Sequence, residues 1–210
     1  MNSAITPESP VALTPSTISS AIIDAAANHL RDVLTIAIEY KAPHAALIVF
    51  DTRCELSLAL SEAYRLCLPT ATFIDFDTVS ADDILTAFAK LAAEDLVVLI
   101  QSTNFRLEAF RIRIELFKRS LKVIEHPHLS RMTGSQALYY IASLAYDPAY
   151  YRGVGRALKA RIDSAKFGVV DSGGERLVFA SPFESAKLNI GDYSEMTNVG
   201  GQFPIGEVFT

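Results

Sequence analysis

Three short apolar runs alternate with amphipathic segments in the first half of the chain, and this alternation constrains the fold more than any other feature. The runs cover residues 45–50, 71–76 and 96–100. A strand that is apolar along its length is typical of a parallel sheet covered on both faces. The segments between the runs, 54–68 and 80–91, have the apolar spacing of helices. Repeated strand and helix units predict an α/β fold with a parallel sheet, helices on both faces and right-handed crossovers.

Further helices and one more strand are predicted along the same 150-residue stretch. Thr14-Pro15 is a helix start, and apolar spacing continues from it until shortly before Pro43. The remaining elements are helices over 104–121, 136–146 and 149–164, and a fourth strand over 121–125. No Gly-x-Gly-x-x-Gly motif follows any of the first three strands. The arrangement is therefore Rossmann-like without the motif of a dinucleotide site.

Changes in composition divide the chain into three parts. Residues 1–15 are rich in Ser, Thr and Pro and are predicted to be a flexible tail, followed by an α/β domain over 16–165. Residues 166–210 form a small C-terminal β-rich appendage, with two strands around a Gly-rich turn and a third over 187–190. Its strands would present unpaired edges unless an extended peptide or a second copy of the protein covers them.

Charge and hydropathy exclude several classes of partner. The net charge of −5 over 210 residues gives no basic excess for a phosphate backbone, so nucleic acid is not an expected partner. The first residues contain neither a basic segment nor a long apolar run, so no membrane association is expected and a cytoplasmic location follows. Cys54 and Cys67 fall on opposite faces of one predicted helix, which favours reduced, structural thiols.

The predicted helix over 104–121 has apolar side chains on two opposite faces. Its own sheet would cover one face. The second face, made of Phe105, Ile112 and Leu116, would be covered by another domain, a second subunit or a ligand, or would lie in the core. Its flanks are basic and either meet an acidic peptide or form a solvated edge. These basic residues are Arg106, Arg111, Arg113, Lys118 and Arg119.

The final stretch, 198–210, places one carboxylate, Glu207, among apolar neighbours where glycines and Pro204 let the chain bend. The sequence Pro-x-Gly-Glu-Val-x-Thr over 204–210 resembles the first metal-ligand motif of the dimetal aminopeptidases of the T and S kind and of the related dihydroxypyridine ring-opening dioxygenases. The resemblance implies that Glu207 matches their first ligand and that the remaining ligands are absent. One carboxylate does not make a dimetal site, so we expect no metal, no other cofactor and no hydrolysis.

Such a domain without its catalytic half resembles the peptide-binding proteins of the crocagin pathway. This resemblance implies a non-catalytic protein that holds a ribosomally synthesised precursor peptide during natural-product biosynthesis, as a homodimer or as a heterodimer with a homologue. The alternatives are a metalloaminopeptidase-like enzyme or a cyclase completed by a partner chain, and a plain assembly partner. The residues expected at the peptide are Asn198, Gln202, Phe203, Glu207, Arg176 and Phe179.

Overall fold

A five-stranded parallel sheet forms the centre of the molecule in the computed structural model, which describes residues 18–107, 111–194 and 196–210. The spatial order of the strands is β2-β1-β3-β4-β8. This confirms the predicted α/β class and its parallel sheet. The strands of the sheet are β1 (Ala46–Phe50), β2 (Thr72–Asp75), β3 (Leu96–Ile100), β4 (Lys122–His126) and β8 (Gly200–Gln202).

Helices connect the strands and cover both faces of the sheet. Their starts follow local sequence, since the side chain of Ser80 accepts from the backbone N–H of Asp83 and that of Asp147 accepts from Ala149 and Tyr150. The predicted tail 1–15 and the helix start at Thr14-Pro15 lie outside the described residues. The helices are α1 (Ser20–Asp32), which continues into a π-helical turn (Val33–Ala37), α2 (Glu55–Cys67), α3 (Ala81–Ala89), α4 (Ile112–Lys118), α5 (Ser135–Ala142) and α6 (Pro148–Ser164).

Alternate residues of the central strands point to two separate apolar cores. On one face, Ile48 and Val98 pack with side chains of α1, α2 and α5. On the other, Val49 and Leu99 pack with side chains of α3 and α4. Every residue of β1 and β3 is buried, which explains why the sequence shows continuous apolar runs instead of alternation.

No helix among the described residues combines the length and the apolar composition that a membrane crossing requires.

The helix predicted over 104–121 is shorter in the structure, where α4 covers only Ile112–Lys118. Phe105 precedes it outside any helix, and its ring stacks on that of Phe76 with centroids 4.1 Å apart. Phe105, Ile112 and Leu116 are all buried in the second core. The apolar face that the sequence left open to a partner subunit is therefore covered within the chain.

The C-terminal segment 166–210 forms two antiparallel pairs and also contributes a strand to the main sheet. β5 (Gly168–Asp171) pairs with β6 (Arg176–Phe179), as predicted from the Gly-rich turn. β7 (Lys187–Asn189) pairs with β9 (Glu207–Phe209). In chain order β8 comes between β7 and β9, and in space it lies parallel to β4 at the edge of the sheet. The sequence analysis missed β8 because three residues that include two glycines carry no apolar pattern.

Gly200 lets β8 approach β4. Its φ is +109°, a backbone conformation that residues with a side chain rarely adopt. A Cβ at this position would also overlap the backbone carbonyl of Val123, which cannot rotate away. The fifth strand of the sheet therefore requires glycine here.

Replacing Gly200 by alanine should lower the free energy of unfolding by about 2–4 kcal/mol, because it adds both backbone strain and a backbone clash. Urea denaturation of the wild type and the variant measures this difference. The control is Gly153→Ala in α6, where no atom lies within 4 Å of the added methyl group. Alanine should stabilise that helical position by about 0.5–1 kcal/mol. Equal effects at the two positions would contradict the role of Gly200.

Candidate functional site

The carboxyl ends of parallel strands are where open α/β sheets bind ligands, most often where the strand order reverses. That reversal lies between β1 and β3, and the chain itself fills it. Asp51 is buried, and one of its carboxylate oxygens accepts from the backbone N–H and the hydroxyl of Ser102, both at 2.9 Å. Its other oxygen accepts from the backbone N–H of Arg53, whose guanidinium forms an ion pair with Asp77. These polar groups satisfy one another, so this crevice is not the site that we favour.

A groove opens farther along the same edge, beside β4 and β8, and consists of two adjoining cavities. The first, the arginine cavity, has a volume of about 420 Å³ and is lined by the end of β4, residues 104–107 and the start of α4. The second, the strand groove, also has about 420 Å³ and is lined by β8, α4, β7 and β9. Arg113, Ile114 and Gln202 line both cavities, so the two are continuous. Volumes of this size are typical of ligand sites.

The edge of β8 that faces away from β4 lies in the strand groove, and no described strand pairs with it. Gly200 and Gly201 leave its backbone without side-chain cover. Asn189 partly occupies this edge, because its side-chain amide donates to the carbonyl of Gln202 at 2.9 Å. The hydroxyl of Tyr193 in turn donates to Asn189 Oδ1 at 3.1 Å and holds that amide in place. Asn189 therefore takes one backbone carbonyl of this edge, and the glycine backbone beside it is left for an extended chain to meet.

An ion pair marks the junction of the two cavities. Arg113 Nη1 donates to Glu125 Oε2 at 2.8 Å, and the Glu125 side chain is only 13% exposed. Burial raises the pKa of the Glu125 carboxyl above its usual value, while the Arg113 guanidinium opposes that rise. The pair fixes the Arg113 side chain, which lines both parts of the groove.

A buried chain of hydrogen bonds supports the turn that follows β8. The hydroxyl of Tyr140 donates to the carbonyl of Phe203 at 2.8 Å, so it must accept from His126 Nδ1, which lies 2.9 Å away. His126 Nε2 then accepts from the hydroxyl of Tyr64, also at 2.9 Å. Burial lowers the pKa of His126 to about 3 and raises the pKa values of both tyrosines. A neutral histidine therefore links α2, β4 and α5 to the end of β8.

The structure separates the six residues that the sequence assigned to the peptide. Asn198, Gln202 and Glu207 line the strand groove. Phe203 is 2% exposed and packs in the core on the α1 and α2 face, where a ligand in the groove cannot reach it. Arg176 and Phe179 lie on β6, and neither lines the groove. Asn189 was not predicted from the sequence, since a single asparagine in a short strand gives no sign of a binding role. Arg113 was predicted only as one of the basic residues that flank the helix over 104–121.

The groove does not provide the ligand set of a dimetal centre. Glu207 is the one carboxylate lining the strand groove among the described residues, and its nearest recorded partner is Asn189 Nδ2, at 3.5 Å. The described part of the chain holds no group of three or more His, Cys, Asp or Glu side chains placed to bind a metal ion. His126 uses both ring nitrogens in hydrogen bonds to tyrosines, so it does not form a metal site with His128. What the groove offers is a backbone edge, amides, apolar walls and arginines.

Comparison of the chain with models of protein families, with curated proteins and with solved structures finds no match in any of the three.

Protonation of His126 should destabilise the fold, because the folded state holds this histidine neutral. Its pKa falls from 6.5 to about 3 on folding, so its contribution is complete above pH 6.5 and is lost as the pH drops toward 3. The expected slope is about 1.4 kcal/mol per pH unit within that window. Urea denaturation between pH 6.5 and about pH 5, where most carboxylates stay ionised, measures it.

The matched variant is His126→Asn, which keeps a donor near Nδ1 and removes the titrating ring. It should be less stable than the wild type at neutral pH, because Tyr64 loses its acceptor. Its free energy of unfolding should nevertheless change less over the same pH window. Identical slopes for the two proteins would show that His126 does not contribute as described.

Proposed function

We propose that this protein binds a ribosomally synthesised precursor peptide in an extended conformation, without cleaving it, during natural-product biosynthesis. The observation that carries the proposal is the position of β8 as the last strand of the sheet, with Gly200, Gly201 and Gln202 lining the strand groove and no described strand on its outer side. Addition of a strand to such an edge gives affinity through backbone hydrogen bonds, while neighbouring pockets select side chains. The likeness of residues 204–210 to the aminopeptidase motif supports a peptide as the ligand, and the resemblance to the peptide-binding proteins of the crocagin pathway supports natural-product biosynthesis as the setting.

Three side chains supply the polar part of the proposed contact. Asn198, Gln202 and Glu207 line the strand groove and are exposed, so their amides and carboxylate are free to meet the backbone and side chains of a peptide. Ile114, 38% exposed, provides an apolar contact at the junction of the two cavities. Ribosomes make the precursor peptide in the cytoplasm, and we therefore propose a cytoplasmic location for the protein that binds it.

Ile114→Glu should weaken peptide binding by about tenfold, because it places a charge at the apolar junction of the groove. The probe is a peptide selected from a random displayed library against the wild-type protein, and calorimetry measures its affinity. Leu66→Glu is the control, since Leu66 is an exposed helical leucine that lines neither cavity. The control should bind as the wild type does. Failure of the library to yield a binder, or equal affinity for the two variants, would refute the proposed site.

The same mixtures distinguish binding from catalysis. After incubation, mass spectrometry should recover the selected peptide intact and at unchanged mass, with or without added Zn²⁺ or Co²⁺. Cleavage on addition of metal would support the metalloaminopeptidase-like alternative, and a loss of water from the peptide would support a cyclase. Either result would overturn the non-catalytic assignment.

We also propose that the protein forms a dimer through the hairpin arm, which we define as β5, β6 and the turn between them. Val170, Leu177 and Phe179 share one face of this arm, and Val169 and Val178 share the other. An isolated two-stranded hairpin with apolar side chains on both faces is marginally stable in water, and a partner that covers them stabilises it.

The apolar area that the arm exposes is comparable to the area that one partner buries in a protein–protein interface. The side chains of the arm, together with adjacent Phe167, expose on the order of 600 Å², compared with about 800 Å² per partner in a standard interface. A second copy with its own arm would double the apolar area available for burial. The side chains, each 42–64% exposed, are Phe167, Val169, Val170, Leu177, Val178 and Phe179.

The double variant Leu177→Glu/Phe179→Glu should be monomeric at micromolar concentration, where the wild type should be a dimer, because two charges replace buried apolar contacts. Light scattering coupled to size exclusion measures the mass of each. Ser172→Glu, in the turn of the same arm, should remain dimeric. A monomeric wild type, or a variant that still dimerises, would contradict the role of the arm. A heavier species only after mixing with a homologue would indicate a heterodimer.

A further inference from the structure

Two arginines at the arginine cavity have no charged partner among the residues that the structure describes. Arg106 and Arg111 are exposed, and neither forms an ion pair or a side-chain hydrogen bond with any residue that the structure describes. The third arginine of the lining, Arg113, is paired with Glu125. Among the lining residues that the structure describes there are three guanidinium groups and one carboxylate, although the whole chain has a net charge of −5. A local excess of this sign attracts an anion.

Most of the other surface arginines have partners. Arg53, Arg156 and Arg176 each form an ion pair with an aspartate. Arg119 donates to three backbone carbonyls, those of Phe88, Ala89 and Leu91. Arg131 and Arg161 also have no recorded partner among the described residues, but they line neither cavity. The arginine cavity is thus where two unpaired guanidinium groups share one concave surface.

The wall of the arginine cavity strengthens an electrostatic contact. Phe105, Leu107 and Ile112 are buried apolar residues of its lining. Gln101 is buried as well, and its side-chain oxygen already accepts from the backbone N–H of Phe105 at 2.9 Å. Charges beside an apolar wall are less well screened by water than charges on an open surface. Guanidinium groups match the planar geometry of a carboxylate and can bind it with two hydrogen bonds.

We infer that the arginine cavity is the subsite that takes an aspartate or glutamate side chain of the bound peptide. This inference rests on the proposed peptide-binding function. Its structural basis is that the groove is continuous, because Arg113, Ile114 and Gln202 line both cavities. A chain that extends along β8 and past Ile114 brings its next side chains to Arg106 and Arg111. The peptide therefore presents an acidic residue beside the segment that pairs with β8, and this residue sets the register of binding.

The test uses a random peptide library displayed through its carboxyl end, so that no free terminal carboxylate is present. Peptides enriched on the wild-type protein should share an aspartate or glutamate at one position. The best of them is synthesised with an amidated carboxyl end, together with its Glu→Gln or Asp→Asn version. The acidic peptide should bind the wild type about tenfold more tightly than its amide version.

A double-mutant cycle assigns this preference to the two arginines. In Arg106→Gln/Arg111→Gln the acidic and amide peptides should bind with nearly equal affinity. Arg131→Gln/Arg161→Gln removes the same charge elsewhere and should keep the preference. Inorganic phosphate at millimolar concentration should compete only weakly, since a small free anion lacks the contacts along β8.

Four results would overturn the inference, and they are distinguishable. Enriched peptides without a shared acidic position, or an acidic preference that survives in Arg106→Gln/Arg111→Gln, would refute the subsite and leave the peptide groove standing. Competition by phosphate as strong as that by the acidic peptide would assign the arginines to a free anion instead. A library that yields no binder at all would refute the proposed function and the subsite with it.

Discussion

The return of the chain to the edge of the parallel sheet at β8 is the contact on which the rest of the candidate site depends. β8 is three residues long, and its place beside β4 requires that the backbone of Gly200 come against the carbonyl of Val123. The buried chain from Tyr64 through His126 and Tyr140 to the carbonyl of Phe203 holds the far end of the same strand. A strand this short is stabilised by its anchors more than by its own ladder of hydrogen bonds.

The groove follows from that placement. With β8 at the edge of the sheet, its three residues line one groove together with residues of α4, β7 and β9. Asn189 then satisfies part of the exposed edge, which limits the pairing of β8 with other chains while leaving the glycines accessible. The switch point between β1 and β3, the usual site of ligands in this class of fold, is instead filled by Asp51, Ser102 and Arg53. The available binding surface therefore lies beside β8 and not at the switch point.

The sequence and the structure agree best where a pattern is long and local. The continuous apolar runs become β1 and β3 with every residue buried, and α3 and α6 begin within one residue of the predicted helix starts at 80 and 149. They differ around residues 104–121, where two apolar faces suggested one long helix. In the structure Phe105 lies outside any helix and packs in the second core, and α4 covers only Ile112–Lys118. Burial against the sheet outweighs the helical periodicity of the local sequence.

Of the candidate site, three residues were predictable and the rest were not. Glycines and a carboxylate near the end of the chain pointed to Asn198, Gln202 and Glu207, which do line the strand groove. Residues adjacent in sequence point to opposite sides of a strand, and so Phe203 is buried in the core although Gln202 faces the groove. Arg113 and Asn189 reach the groove from elements that are distant along the chain, and no spacing in the sequence encodes such a meeting.

By itself, the sequence determined that this chain forms a parallel sheet covered by helices on both faces, because apolar periodicity fixes which surfaces must be buried. It also determined the hairpin around the Gly-rich turn. Only the tertiary structure decided that β8 completes the sheet, that Arg106 and Arg111 line a cavity beside it, and which apolar side chains are left exposed. These properties depend on the distances between segments far apart in sequence, and only packing sets those distances.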